Sequence, residues 1–196
     1  MFSWKDDISK TLTEKFRGAA NLNEIHEPIY HKGWLLEGSR LKTVHGEISQ
    51  NGDIENSAIE TVHGDIVVDS DRITGLGVET TSGHVVLRAN HIDGLDVYSI
   101  HEPVIIDTRT AGFLKNIKIS CVHGDLILIA HEGDKRKFED EIKFTSVHGE
   151  FQRVAAPPAL DQLENSRAAE LYNVMRLKKF DEPPKPSLES VLSPWS

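Results

Sequence analysis

One cysteine, Cys121, is all the thiol chemistry this chain of 196 residues carries, so no internal disulfide can form. No apolar run approaches the roughly 20 residues that a membrane-spanning helix needs. The N-terminus has no hydrophobic signal segment, and Asp6, Asp7 and Glu14 do not suit a transit peptide, so a cytoplasmic location is expected. Basic charge is short as well: 22 Lys and Arg against 31 Asp and Glu give a formal net charge of −9. Phosphate contacts need a basic face, so nucleic acid is not expected as a partner. There is no phosphate-binding loop, nucleophile elbow or paired-cysteine motif. Nothing points to a cofactor, and none is expected.

What the chain has is a repeat. Thr61-Val62-His63-Gly64-Asp65-Ile66 is matched by Thr43-Val44-His45-Gly46-Glu47-Ile48, Cys121-Val122-His123-Gly124-Asp125-Leu126 and Ser146-Val147-His148-Gly149-Glu150-Phe151. Weaker copies lie at Thr80-Thr81-Ser82-Gly83-His84-Val85 and around His26-Glu27-Pro28 and His101-Glu102-Pro103. The seven anchors are His26, His45, His63, Ser82, His101, His123 and His148, at steps of 19, 18, 19, 19, 22 and 25. A fixed period near 20 marks a solenoid. Within it, apolar residues at Ile54, Ile59, Ile66, Ile73, Val78 and Val85 step by 5, 7, 7, 5 and 7. Three short segments per coil follow, and pairs such as Ile66/Val68 and Val85/Leu87 alternate with the period of a strand. The expected fold is all-β: a single-stranded parallel β-helix of about seven coils over residues 22–154. At about 4.8 Å per coil it spans on the order of 30 Å.

The flanks read differently. Residues 1–21 hold Trp4, Ile8, Leu12 and Phe16 at helical spacing, which predicts an amphipathic helix that caps one end of the solenoid. The same helix is the one place where membrane contact is conceivable. Ala155-Ala156-Pro157-Pro158 breaks the repeat, and the apolar spacing predicts a second capping helix within 155–180. Residues 181–196 form a proline-containing tail that ends on apolar Leu188, Val191, Leu192 and Trp195. The longer late steps place insertions at 107–116 and 130–141, both after the same strand and so on one side. Lys135, Arg136 and Lys137 in the second insertion, with Trp195 in the tail, are the candidate partner contacts.

The repeated Thr-Val-His-Gly-Asp-Ile-Val-Val segment resembles the Ser/Thr-x-x-Gly-Asp-Ile/Val-x-Val coils of the bacterial adhesin-type β-solenoid repeats, a domain family with no assigned reaction. That resemblance covers residues 22–154 and implies a non-enzymatic, surface-presenting solenoid with no catalytic residues to transfer. The proline-containing tail also resembles that of the bactofilins, which implies a self-assembling polymer as the alternative.

Two features could carry chemistry. His26, His45, His63, His101, His123 and His148 occupy one corner of successive coils and could offer imidazole nitrogens to zinc. A straight ladder presents parallel donors where tetrahedral zinc needs converging ones, and a repeated corner residue has a structural explanation. No metal is therefore assigned. Cys121 reads as a small core residue where other copies have Thr or Ser, with a reactive thiol as the alternative. Gly46, Gly64, Gly83, Gly124 and Gly149 read as corner residues chosen for positive φ. A β-helix enzyme stays an alternative. Yet the acids recur at one repeat position, and the step is not the six, six, six of hexapeptide acyltransferases. The reading is a scaffold or interaction module acting through a protein partner or self-association, not an enzyme.

Overall fold

A computed structural model describes residues 19–108, 113–131 and 141–156 of the chain, all within the first of two units, Met1–Ala159 and Leu160–Ser196. The expected caps, the tail, Lys135, Arg136, Lys137 and Trp195 lie outside the described residues. Within them there is no helix.

Twelve strands follow one another. They are β1 (Asn21–Asn23), β2 (Ile29–Lys32), β3 (Arg40–Thr43), β4 (Ile48–Asn51), β5 (Ile54–Thr61) and β6 (Ile66–Thr80). Then come β7 (Val85–Ser99), β8 (Val104–Thr108), β9 (Phe113–Cys121), β10 (Leu126–His131), β11 (Ile142–Ser146) and β12 (Phe151–Ala156). Every pairing is parallel. Leu22, Leu41, Ile59, Val78, Val97, Ile119 and Phe144 align in one column. Ile29, Ile48, Ile66, Val85, Val104, Leu126 and Phe151 align in a second. Leu35, Ile54, Ile73, Ile92 and Leu114 align in a third, shorter column. The segments expected from the apolar spacing are therefore the faces of a β-solenoid. It makes about six turns, which set seven rungs on the two longer faces.

The columns make the core. Leu41, Ile59, Ile48, Ile66, Val85, Ile73 and Ile92 are all fully buried. Each such aliphatic side chain contributes about 1.5–3 kcal/mol over an exposed one. The second face is buried on its outer side too. Val67, Val86, Ile105 and Ile127 point away from the core cluster, yet are only 6, 5, 1 and 3 % exposed. Runs such as Ile66-Val67-Val68 and Val104-Ile105-Ile106 are thus apolar throughout, as expected of a parallel sheet covered on both faces. Tyr30 and Gln152 at its two ends are exposed, but from Ser49 to Ile127 this face is not a free surface. The first face is: Glu79, Asp96, Tyr98, Lys118 and Lys143 are exposed on it.

The glycines are used differently from the expectation. Gly46, Gly64, Gly83, Gly124 and Gly149 do lie at the bend after the anchor position, but none has positive φ. They are small because the coils touch there. A Cβ on Gly64 would overlap the Gly46 carbonyl, one on Gly83 the Gly64 carbonyl, and one on Gly149 the Gly124 carbonyl. The left-handed bends form a separate column: Asn56 (φ 41°), Gly75 (66°), Gly94 (81°) and Asn116 (55°) stack in register. Asparagine and glycine tolerate that conformation where other residues do not.

Two substitutions separate these roles. Gly64→Ala is expected to cost about 3 kcal/mol or more, because the clash is with backbone that cannot yield. Gly94→Asn is expected to cost less, about 1–2 kcal/mol, since Asn116 already occupies that bend while the added Cβ meets the Gly75 backbone at 3.3 Å. Urea unfolding of both variants measures the difference.

Candidate functional site

The corner between the first and second faces begins with a hydroxyl. Thr43, Thr61, Thr80, Ser99, Cys121 and Ser146 share one inward-facing position. Thr43 Oγ1 accepts the Gly46 N–H (3.2 Å) and donates to the Glu27 carbonyl of the previous coil (3.2 Å). Thr61 repeats this with Gly64 and the Gly46 carbonyl, at 3.2 and 3.4 Å. Ser146 accepts the Gly149 N–H at 2.8 Å. The Ser/Thr-x-x-Gly signature is therefore a device that closes the corner and ties it to the coil before.

Two residues after the hydroxyl stands the anchor, which points to solvent. The imidazoles of His26, His45 and His63 stack face to face, with ring centroids 5.2 and 5.1 Å apart and planes within 6°. His101, His123 and His148 form a second stack, at 5.6 and 5.0 Å and within 4°. All six are exposed. The structure thus assembles every histidine expected at this corner into two three-ring ladders. Their rings are parallel, and no group of three or more His, Cys, Asp or Glu converges as a metal site among the described residues. Beside the rings runs an apolar row: Ile25, Val44, Val62, Ile100, Val122 and Val147, interrupted by Thr81. Its inner members are half-buried, while the end members Ile25 and Val147 are 61 and 68 % exposed.

The interruption of the ladder is the least regular point of the stack. Ser82 stands where a histidine would, and the next coil carries Glu102 where its neighbours carry the corner glycine. The extra Cβ works against the close approach that glycine allows. Hydrogen bonds across this junction are correspondingly long. Ile100 N–H to the Thr80 carbonyl is 3.3 Å, His101 to Thr81 3.2 Å and Val85 to Pro103 3.3 Å. Equivalent bonds one to three coils earlier, from Ser82, His63 and His45, are 2.8–2.9 Å. Thr80 Oγ1, buried here, is the side-chain atom without a hydrogen-bond partner among the described residues.

The acidic row is handled coil by coil. Asp65 accepts the backbone N–H of His84 at 2.9 Å, and Asp125 that of Glu150 at 3.0 Å. His84, standing in the acidic position, lies between two carboxylates. Its Nδ1 is 2.9 Å from Asp65 and its Nε2 is 3.4 Å from Glu102. In the sequence His84 is only one residue of a weaker copy of the repeat. The register sets Asp65 before it and Pro103 after it, and its ring reaches Glu102, the residue before Pro103. A separate cavity of about 310 Å³ lies by Asn21, Leu22, Asn23, Arg40 and Lys42. Both of its cations pair with Glu60.

Cys121 is buried, and burial, with the Asp125 carboxylate adding to it, pushes its thiol up to about 11. It belongs to the hydroxyl column and the core, as the sequence pattern suggested.

Comparison with protein-family models, with curated proteins and with solved structures finds no match to this chain. Among the described residues no helix is long and apolar enough to cross a membrane.

Two predictions follow from the corner chemistry. A thiol raised from 9.0 to about 11 holds about a hundredfold less thiolate at a given pH, and thiolate is the reactive form. Iodoacetamide at about pH 8 should therefore leave Cys121 unmodified in the folded chain and label it fully in urea, as read by mass spectrometry. In the hydroxyl column, Thr43→Val strands the buried Gly46 N–H and should cost about 1–3 kcal/mol. Thr80→Val removes an oxygen that has no partner, and should be neutral or stabilise by up to about 1 kcal/mol in chemical denaturation.

Proposed function

We propose that the chain is a non-enzymatic β-solenoid scaffold that works as a protein-interaction module. The observation that carries this reading is the exposed ridge of stacked imidazoles beside a β-branched row. Such a surface is long, straight and chemically repetitive, which suits recognition of another polypeptide better than conversion of a small substrate. The polar side chains near it are engaged in holding coils together. Thr43, Thr61, Asp65 and Asp125 all bond to a neighbouring coil. With the middle of the second face buried on both sides, the ridge and the first face are the broad surfaces this reading uses. The partner is a protein, in keeping with the net negative charge.

Self-association into a polymer is the second reading. It is favoured by Ile25 and Val147, the strongly exposed end members of an otherwise half-buried row. Against it, Ile29 and Leu35 on the first coil are already buried within the single chain.

Light scattering on a size-exclusion column, with elemental analysis of the peak, tests both. The module should elute as one small, metal-free species whose mass does not rise with concentration. Filaments would replace this reading with the polymer, and stoichiometric zinc would replace it with a metal role for the histidines.

A further inference from the structure

We infer that the gap in the histidine ladder at Ser82 is a binding slot for one arginine side chain of a partner polypeptide. This rests on the interaction role proposed above and gives it an address. The backbone rung at the gap is in place. Ser82 N–H donates to the Val62 carbonyl at 2.8 Å, and Thr61, Thr80 and Ser99 remain in register on either side. Only the ring is missing. His63 and His101 thus face each other across two coil spacings, or about 10 Å, with a small hydroxyl between them. One planar group placed midway would lie about 5 Å from each imidazole. That matches the 5.0–5.6 Å at which this protein already stacks its rings. The slot has the thickness of one flat side chain.

Charge selects which flat side chain. Glu79, exposed on the first face, stands on the same coil three residues before Ser82. Asp65 follows His63 by two residues, and Glu102 follows His101 directly. These last two hold His84 between them, so the flank carries two carboxylates to one imidazole. A neutral aromatic ring would gain nothing from that surround. A lysine ammonium would gain charge but cannot fill a planar gap. The guanidinium of arginine is flat, always charged, and stacks on aromatic faces while its edge donates to carboxylates. The long hydrogen bonds across the His101 junction widen the gap slightly rather than close it.

The slot can be tested without knowing the partner. The full chain, labelled at histidine, is titrated with N-acetyl-arginine amide and, separately, N-acetyl-lysine amide, while the ring resonances are followed by NMR. One stacked ion pair binds weakly, so the titration runs to roughly 50 mM. The expected result is a saturable shift of His63 and His101 with the arginine amide. The other four ladder rings should move less than half as far, and the lysine amide should have at most a third of the effect. Ser82→His supplies the missing rung and should abolish the response, while its own spectrum reports that the chain is folded. Glu79→Gln should weaken the arginine response about twofold to threefold. Equal shifts of all six rings, equal response to lysine, no shift at all, or a response retained in Ser82→His would each overturn the slot. None of these results bears on solution size or metal content, so the scaffold reading stands or falls by its own experiment.

Discussion

Parallel strands hydrogen-bond at a single spacing, and in a solenoid that spacing places each residue directly over its equivalent in the coil before. Every column must therefore tolerate its own repetition. Aliphatic residues do, and the columns through Ile48, Ile66 and Val85 and through Leu41, Ile59 and Val78 are fully or almost fully buried. Flat aromatic faces do, so exposed histidines stack at about ring distance. Stacked carboxylates repel, and where they meet they take other partners, as Glu60 under Glu79 does with Arg40 and Lys42. Asp65 and Asp125 instead turn onto the N–H of the next coil, and His84 separates Asp65 from Glu102. The closest approach of all, at the corner, excludes even a Cβ and leaves Gly46, Gly64 and Gly83 in line.

This constraint explains which features could be read in advance. The aliphatic columns recur at steps set by the coil, so Ile54, Ile59, Ile66 and their equivalents betray three faces before any coordinates exist. The histidine corner was legible for the same reason: identical residues at one period must meet. What escaped was whatever depends on how tightly the coils touch. A glycine after histidine signals a bend, but whether it serves φ or proximity is decided by the carbonyl of the previous coil. The left-handed column is hidden in the sequence because it mixes Asn and Gly, residues of different appearance and shared conformational tolerance. Val67 and Val86 do not follow the alternation of a strand, because a sheet covered on both faces has none. The bridging position of His84 emerges only when sequence distance is converted into register.

A higher order also becomes visible. The corner reads His-Glu-Pro, His-Gly-Glu, His-Gly-Asp, then Ser-Gly-His, then His-Glu-Pro, His-Gly-Asp, His-Gly-Glu. Three coils, one odd coil and three coils again follow one another. A His-Glu-Pro corner opens each block. At the first block, Glu27 lies on the first coil of the described residues. At the second, Glu102 must stack on Gly83, and there the hydrogen bonds lengthen, Thr80 Oγ1 goes unmatched and the ring ladder breaks. The longer hydrogen bonds go with a side chain where the stack wants none, and the ladder breaks because Ser82 carries no ring.

Repetition brings a difficulty for recognition that the odd coil resolves. A uniform ladder offers a partner many equivalent registers one coil apart, just as a featureless strand pairs loosely with its neighbour. Binding to such a surface gains little discrimination between positions. A single break changes that, because only one alignment sets a partner's side chain against Ser82 while its neighbours lie along the two ladders. The rungs on either side then supply extent, and the gap supplies location. On this view the residues that depart from the period, Ser82, His84 and Glu102, matter more to specificity than the six histidines that obey it.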